Sequence, residues 1–323
     1  MIGITGATGH LGYVVARSLI AQGETIRALA RSAKRVETVG LPASSVIYGD
    51  LSDVESLRGC FQGCEAVIHA AAHISLGHDR AKLQRTNVDG TVSVIEACRL
   101  EGVERLIAVG SVEAFDLSAP VVGGHGDRLD PVLPILAYGK SKAEAVNATL
   151  DANDSELATL VISPTAILGP WDFRPSRMGR FVRSFILRRL PAFVRGGFDI
   201  VDVRDVAGAC IGAIRGGVPG THYVVSGNYV EVRHLLEELE ELSGVPKPPL
   251  EVPDRIGKLF AACSAFVVSL AGGTPLITPA AVSLLSKRIR VSSELARDDL
   301  HFHARELRTT VADTIAWFRG EME

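Results

Sequence analysis

Paired cysteines and long apolar runs are scarce in this chain. It has five Cys, none in a Cys-x-x-Cys pair, and the two nearest, Cys60 and Cys64, have no matching second pair. Disulfide frameworks and zinc sites need such pairs, so both are disfavoured and a reducing, cytoplasmic location is expected. The longest apolar stretch, Ile256 to Ala271, is 16 residues long and contains Lys258, which falls short of the ~20 residues that span a bilayer.

A strong excess of either charge is also absent. The 34 Lys and Arg face 37 Asp and Glu, a net charge of −3, which disfavours a nucleic-acid partner, and 47% apolar residues disfavour disorder. The first predicted strand, Ile2–Thr5, begins one residue after Met1, so no signal peptide is expected. A length of 323 residues favours two domains, or one large α/β domain with an appended lobe.

Short apolar runs alternate with helical periodicity over the first two-thirds of the chain. Such βαβ units predict a doubly wound parallel sheet, a Rossmann-type α/β fold that binds ligands at the carboxyl ends of its strands. Residues 1–165 plus about 201–228 are expected to form the dinucleotide-binding domain, and about 166–200 plus 229–323 a smaller, mainly helical substrate lobe. After the first, the predicted strands are Thr25–Ala30, Ser45–Tyr48, Ala66–Ala70, Arg105–Val109, Leu157–Ser163, Asp199–Val203 and Thr221–Val225.

A glycine-rich turn follows the first predicted strand. Gly6, Gly9 and Gly12 are spaced three residues apart and open the first predicted helix. Glycine permits a tight turn, lets backbone N–H groups approach a pyrophosphate and lets the helix pack closely, with its N-terminus facing the anion. The pattern therefore predicts a dinucleotide site.

The end of the second predicted strand indicates which dinucleotide binds. NAD sites place an acid there for the ribose 2′-hydroxyl, whereas NADP sites place Arg near the 2′-phosphate. No acid lies between Glu24 and Glu37. NADP is therefore favoured over NAD, with Arg31 as the main phosphate contact and Ser32 and Arg35 as helpers; the other interpretation is a solvated basic loop. The positive charges of this segment are Arg27, Arg31, Lys34 and Arg35.

Tyr138 and Lys142 are four residues apart, a spacing that puts both on one face of a helix. Tyr138 lies 27 residues after Ser111. Ser111 follows the carboxyl end of the strand Arg105–Val109, and the nicotinamide is expected at that end. A nearby ammonium lowers the pKa of a phenol from about 10, so Lys142 would activate Tyr138. Tyr138 would donate a proton to a substrate carbonyl oxygen as hydride arrives, and Ser111 would hydrogen-bond the same oxygen.

Together, Thr5-Gly-Ala-Thr-Gly-His-Leu-Gly12, Ser111 and Tyr138-x-x-x-Lys142 resemble the extended short-chain dehydrogenase/reductase superfamily, over nearly the whole chain. The segments Pro164 to Asp172 and Leu190 to Phe193 look like its dihydroflavonol-4-reductase-like branch. No metal site is expected. The motifs and the resemblance predict as cofactor-binding residues Gly6, Thr8, Gly9, His10, Leu11, Gly12, Arg31, Ser32, Arg35, Asp50, Leu51, Ala70, Ala71, Ala72, Asn87, Tyr138, Lys142 and Pro164.

Members of this superfamily reduce ketones, epimerise sugar nucleotides or dehydrate them. Dehydratases carry Thr-Asp-Glu where this chain has Ser111-Val112-Glu113, and Val112 supplies no acid. Sugar-nucleotide enzymes carry Arg-Pro-x-Asn where this chain has Ser163-Pro164-Thr165-Ala166. We therefore expect an NADP-dependent oxidoreductase that reduces a ketone or aldehyde, or catalyses the reverse. The alternatives are a nucleotide-sugar epimerase that retains NAD(P) and a non-catalytic NADP-binding sensor.

A basic run follows the presumed domain boundary. It favours a phosphate- or carboxylate-bearing substrate; the other interpretations are an exposed basic helix and a contact to a partner. Trp171 and Phe173 could line an apolar substrate wall or pack within the lobe. The resemblance implies a homodimer through two helices, roughly Leu83–Glu101 and Tyr138–Asn153. The basic run has no acid between Phe173 and Phe198 and contains Arg174, Arg177, Arg180, Arg183, Arg188, Arg189 and Arg195.

Overall fold

A seven-stranded parallel sheet forms the centre of the structure, a computed structural model that describes residues 1–75, 79–117, 121–123, 129–130, 136–253, 257, 279–285 and 289–322. Its strand order is β11-β7-β5-β4-β1-β2-β3. The order reverses between β1 and β4, and the crevice that binds ligands in such sheets opens at that point. The predicted doubly wound fold is confirmed. The strands are β1 (Ile2–Thr5), β2 (Ile26–Ala30), β3 (Val46–Tyr48), β4 (Ala66–His69), β5 (Arg105–Val109), β7 (Ala158–Pro164) and β11 (His222–Val225).

Helices cover both faces of this sheet because each strand is apolar on both sides. On one face, Val14 of the first helix and Val206 of the eighth belong to one core with Ile4. On the other face, Phe61 and Val94 pack with the strand residue Leu106. The helices are α1 (His10–Ala21), α2 (Ala33–Val39), α3 (Val54–Phe61), α4 (Arg80–Leu83), α5 (Gly90–Leu100), α6 (Ala137–Asp151), α7 (Arg177–Ile186), α8 (Val203–Arg215), α9 (Val232–Ser243), α10 (Pro279–Leu285), α11 (Glu294–Leu300) and α12 (Leu307–Arg319).

Small sheets accompany the segments assigned to the substrate lobe. The predicted strand Asp199–Val203 runs instead over Gly197–Asp202 and pairs outside the main sheet, with Ala166–Leu168 and Asn228–Glu231. Phe185, Leu236 and Ile315 share an apolar core there. The division into two lobes stays a prediction. The small sheets are β8 (Ala166–Leu168) with β10 (Gly197–Asp202) and β12 (Asn228–Glu231), β9 (Ala192–Val194) with β13 (Leu250–Val252), and β6 (Val121–Gly123) with β14 (Arg290–Ser292).

The helix predicted over Leu83–Glu101 is present but contains a wider turn in its first half. A π-helical turn, Gln84–Asp89, separates α4 from α5. The wider turn contains Asn87, whose side chain holds the loop that follows β4. Val92 on α5 is 49% exposed, so its side chain is available for contact with a second copy of the chain. The homodimer inferred from the resemblance stays a prediction. None of the helices described is long and apolar enough to cross a bilayer.

Candidate active site

The glycine turn brings β1 against the segment that follows β4. Gly6 has φ +78°, and a Cβ on it would lie 2.6 Å from the backbone nitrogen of Ala71. A Cβ on Gly12 would lie 2.2 Å from the carbonyl oxygen of Gly6, and Gly9 N donates to that same oxygen at 2.8 Å. No side chain caps α1, and its first turn has no acidic residue. The turn therefore fits a dinucleotide pyrophosphate at a helix N-terminus.

Of the other predicted cofactor-binding residues near this turn, some lie beside it and one is buried in the hydrophobic core. Ala70 N donates to Thr5 O at 3.1 Å, which places the three alanines after β4 beside the turn. His10 Nε2 is 2.9 Å from the carbonyl oxygen of Pro170, a contact between α1 and the start of the lobe segment. Leu11 is buried in the core, and Thr8 is half-buried.

Arg31, Ser32 and Arg35 lie at the far end of the crevice, beyond β2. Arg31 is exposed, and its Nη1 lies 3.7 Å from Asp50 Oδ2. Hydrogen bonding from the backbone of Ser52 lowers the pKa of Asp50, with partial burial opposing and Arg31 assisting. Ser32 precedes α2, and Arg35 is exposed on it. Leu51 is 9% exposed and packs in the core between sheet and helices, so its contact with an adenine stays a prediction.

Ser111, Tyr138 and Lys142 are brought together at the carboxyl end of β5. The Ser111 side chain is close enough to the Tyr138 phenol to influence its pKa, and Glu113 N donates to Ser111 Oγ at 3.1 Å. Lys142 Nζ donates to the carbonyl oxygen of Val109 at 2.6 Å. All three side chains are buried. Pro164 ends the neighbouring strand β7.

Activation of the phenol by Lys142, as expected from the sequence, is not what the structure shows. Burial raises the pKa of Tyr138, and the carboxylate of Glu113 raises it further, while Arg177 and Ser111 oppose the shift. Burial lowers the pKa of Lys142 to about 8. Lys142 does not lower the pKa of the phenol because its ammonium group donates to the Val109 carbonyl oxygen rather than to the phenol oxygen. The phenol is therefore in its protonated form at neutral pH.

Asn87 joins the β4 loop to α6. Its Oδ1 accepts from His73 N at 2.7 Å, and its Nδ2 donates to His73 O and to Ser141 Oγ, each at 3.0 Å. Ser141 Oγ in turn donates to the carbonyl oxygen of Tyr138 at 2.7 Å. Asn87 thus positions α6 through protein contacts, and a direct contact with cofactor stays a prediction.

The aromatic residues after β8 pack inside the protein. The Phe173 ring meets Tyr13 and Trp317 edge to face, with centroids 5.0 and 4.9 Å apart. The guanidinium of Arg17 lies 4.8 Å from the centre of the Trp171 ring. These contacts favour lobe packing over a substrate wall.

Sequence reasoning missed one pair beside the site. Glu113 and Arg177 form an ion pair at 2.6 Å, 64 positions apart. In the sequence, Glu113 belongs to the Ser111 segment and Arg177 is one of the seven arginines of the basic run. The signal that could have found them is the position of Glu113, two residues after the predicted catalytic serine.

Comparison with known proteins is decisive for the family. A model of the NAD dependent epimerase/dehydratase family matches residues 2–226. The chain belongs to this family. It is 34% identical over 319 residues to sterol demethylase protein B of Methylococcus capsulatus, covering 98% of this chain and 97% of that protein. It is 31% identical over 329 residues to a provisionally named dihydroflavonol 4-reductase of Synechocystis sp., covering 98% and 94%.

Solved structures agree with this assignment. The crystal structure of gox2253 superimposes with a TM-score of 0.83 at 28% identity and covers 100% of this chain and 99% of that one. As a member of the NAD-dependent epimerase/dehydratase family, within the extended short-chain dehydrogenase/reductase superfamily, the protein is an enzyme that uses a nicotinamide cofactor.

Proposed function

We propose that this enzyme is an NADP-dependent oxidoreductase that reduces a ketone or aldehyde to an alcohol, or catalyses the reverse, with Ser111, Tyr138 and Lys142 as catalytic residues. The grouping of these three buried side chains at the carboxyl end of β5 carries the proposal. Hydrogen bonds made there are strengthened by the low local polarity.

Each side chain has a role that follows from its surroundings. Tyr138 is protonated at neutral pH, which is the form that donates a proton to a carbonyl oxygen. Ser111 can donate to the same oxygen because its side chain lies near the phenol and its Oγ acts as an acceptor toward Glu113 N. Lys142, with a pKa of about 8, can release and regain a proton near neutral pH. NADPH would supply the hydride, held at its pyrophosphate by the turn from Gly6 to Gly12.

The choice of NADP rests on the end of β2. Arg31 is exposed directly after β2, and β2 itself contains no carboxylate, which supports a phosphate contact. Asp50 competes for the same guanidinium, but at 3.7 Å and with both side chains exposed the attraction is weak. A 2′-phosphate would bring a larger charge to Arg31 than Asp50 does.

Nucleotide-sugar epimerisation is the second candidate, because the family includes epimerases. The end of β7 disfavours it. Thr165 Oγ1 donates to Asp199 Oδ1 at 2.7 Å, and the next residue is Ala166, so no side-chain amide is available there. The reductase is therefore the better supported proposal.

The test is turnover of NADPH with a panel of ketones and aldehydes. We expect Tyr138→Phe to bind NADPH like the natural enzyme and to lose roughly 10²- to 10⁴-fold in kcat. The exposed Tyr229 offers a matched control, and Tyr229→Phe should leave kcat unchanged. Interconversion of UDP-sugars without consumption of NADPH would favour the epimerase. Binding of NADPH without turnover of any compound would favour the sensor.

A further inference from the structure

The ion pair of Glu113 and Arg177 connects the serine loop with the lobe helix α7. Glu113 lies in the short turn Val112–Ala114 that follows Ser111, and Arg177 is the first residue of α7. Arg177 Nη2 donates to Glu113 Oε1 at 2.6 Å, with the side chains 30% and 21% exposed. Glu113 N donates to Ser111 Oγ at 3.1 Å, which places the pair beside the proposed catalytic residues. Glu113 raises the pKa of Tyr138 and Arg177 lowers it.

The pair is incomplete on both sides. Glu113 Oε2 is buried and has no hydrogen-bond partner in the described part of the protein. A guanidinium has five N–H donors, and the bond from Arg177 to Glu113 uses one of them. Buried polar atoms are normally satisfied, so an orphaned carboxylate oxygen calls for a functional explanation.

The backbone of α7 is not the anion site here. Asp172 Oδ2 accepts from Ser176 N at 2.7 Å, and Ser176 Oγ accepts from Gly179 N at 3.0 Å. These two side chains already cap the N-terminus of the helix. An anion arriving from the active site would therefore be bound by the guanidinium of Arg177.

We propose that Arg177 is the anchor for a carboxylate on the substrate and that Glu113 occupies its place until the substrate binds. The inference rests on the proposed oxidoreductase function. Exchange of one carboxylate for another leaves the guanidinium paired with one anion. Arg can bind the incoming carboxylate with two parallel hydrogen bonds, whereas Glu113 uses one. The substrates are then hydroxy or oxo acids, with the carboxylate close to the reacting oxygen.

The test compares an acid with its neutral ester in the oxidative direction. The probes are 3-hydroxyoctanoate and its methyl ester, with NADP as oxidant, and kcat/KM is measured for each. We expect the natural enzyme to prefer the acid by about 10- to 100-fold, as charge-assisted hydrogen bonds allow. Arg177→Gln should abolish this preference, because kcat/KM for the acid should fall about 10- to 100-fold further than kcat/KM for the ester. Glu113→Gln should lower KM for the acid, because its competitor is gone.

Two further variants guard against trivial explanations. Arg177→Lys keeps the charge but lacks the planar fork, so we expect an intermediate preference and a folded protein. Arg183 is an exposed arginine on the same helix, and Arg183→Gln should keep the full preference.

A purely structural ion pair predicts something else. If Arg177→Gln lowers activity on acid and ester equally, the inference is wrong and the oxidoreductase proposal stands. If glycerol 3-phosphate binds more tightly than 3-hydroxyoctanoate, the site takes phosphate and the carboxylate assignment is wrong. If no alcohol is oxidised and no carbonyl compound is reduced, the proposed function fails. Isothermal calorimetry of acid and ester binding then tests the role of Arg177 separately. In that case Arg177-dependent binding of the acid supports it, and equal binding of acid and ester overturns it.

Discussion

Replacement of Gly12 by alanine should damage the dinucleotide site although it improves a helix. Alanine is favoured over glycine in a helix by about 1 kcal/mol. At this position, however, the new Cβ would lie 2.2 Å from Gly6 O and 2.6 Å from Gly6 C, both backbone atoms. The turn must move by roughly 1 Å to restore van der Waals contact, and overpacking of this kind costs about 1–3 kcal/mol. We expect Gly12→Ala to unfold more easily and to bind NADPH at least ~10-fold more weakly.

A matched glycine separates the two effects. Gly59 lies in α3, and a Cβ there would meet no atom within 4 Å. Gly59→Ala should therefore stabilise the protein by about 0.5–1 kcal/mol and leave NADPH binding unchanged. Urea unfolding and isothermal calorimetry measure both quantities. NADPH affinity of Gly12→Ala equal to that of the natural enzyme would refute the assignment of this turn.

Three further predictions concern charge. Arg31→Ala should weaken NADPH binding ~10-fold or more and leave NADH binding unchanged, while Lys34→Ala, at an exposed position in the adjoining helix α2, should change neither in fluorescence titrations. Lys142→Met should raise the free energy of unfolding by up to about 3 kcal/mol at pH 7, because burial lowers the Lys142 pKa to about 8. Urea unfolding should show this gain shrinking as pH rises from about 8 to about 10.4, and a pH-independent gain would contradict the prediction. Arg204→Met should lower the free energy of unfolding by about 3–5 kcal/mol at pH 7, since the buried Asp202 loses the Arg204 guanidinium. Burial raises the Asp202 pKa, but the larger opposing effect of its hydrogen bonds and of Arg204 lowers it overall, so the loss should diminish below about pH 4. An equal loss at pH 7 and pH 3 would argue against the ion pair.

Local patterns predicted the central sheet well. Arg105–Val109 forms β5 with the predicted bounds, because a run of apolar residues buried on both faces is recognisable from its neighbours alone. The glycine turn was predictable for a similar reason, since the close approach of Gly6 and Gly12 is local.

Contacts between distant segments could not be predicted in this way. Glu113 and Arg177 are 64 positions apart, and no periodicity connects them. The π-helical turn at Asn87 depends on hydrogen bonds to the β4 loop and to α6, so helical periodicity alone indicated a regular helix. The neutral, buried state of Tyr138 likewise depends on what surrounds the phenol, which the spacing to Lys142 does not specify.

The most direct measurement for the whole account is a crystal structure of the enzyme with NADPH and a carbonyl compound. We expect the pyrophosphate on the turn from Gly6 to Gly12, and the carbonyl oxygen within hydrogen-bonding distance, about 2.6–3.2 Å, of the hydroxyls of Tyr138 and Ser111. A nicotinamide bound away from Tyr138, or a carbonyl oxygen held by other groups, would contradict it.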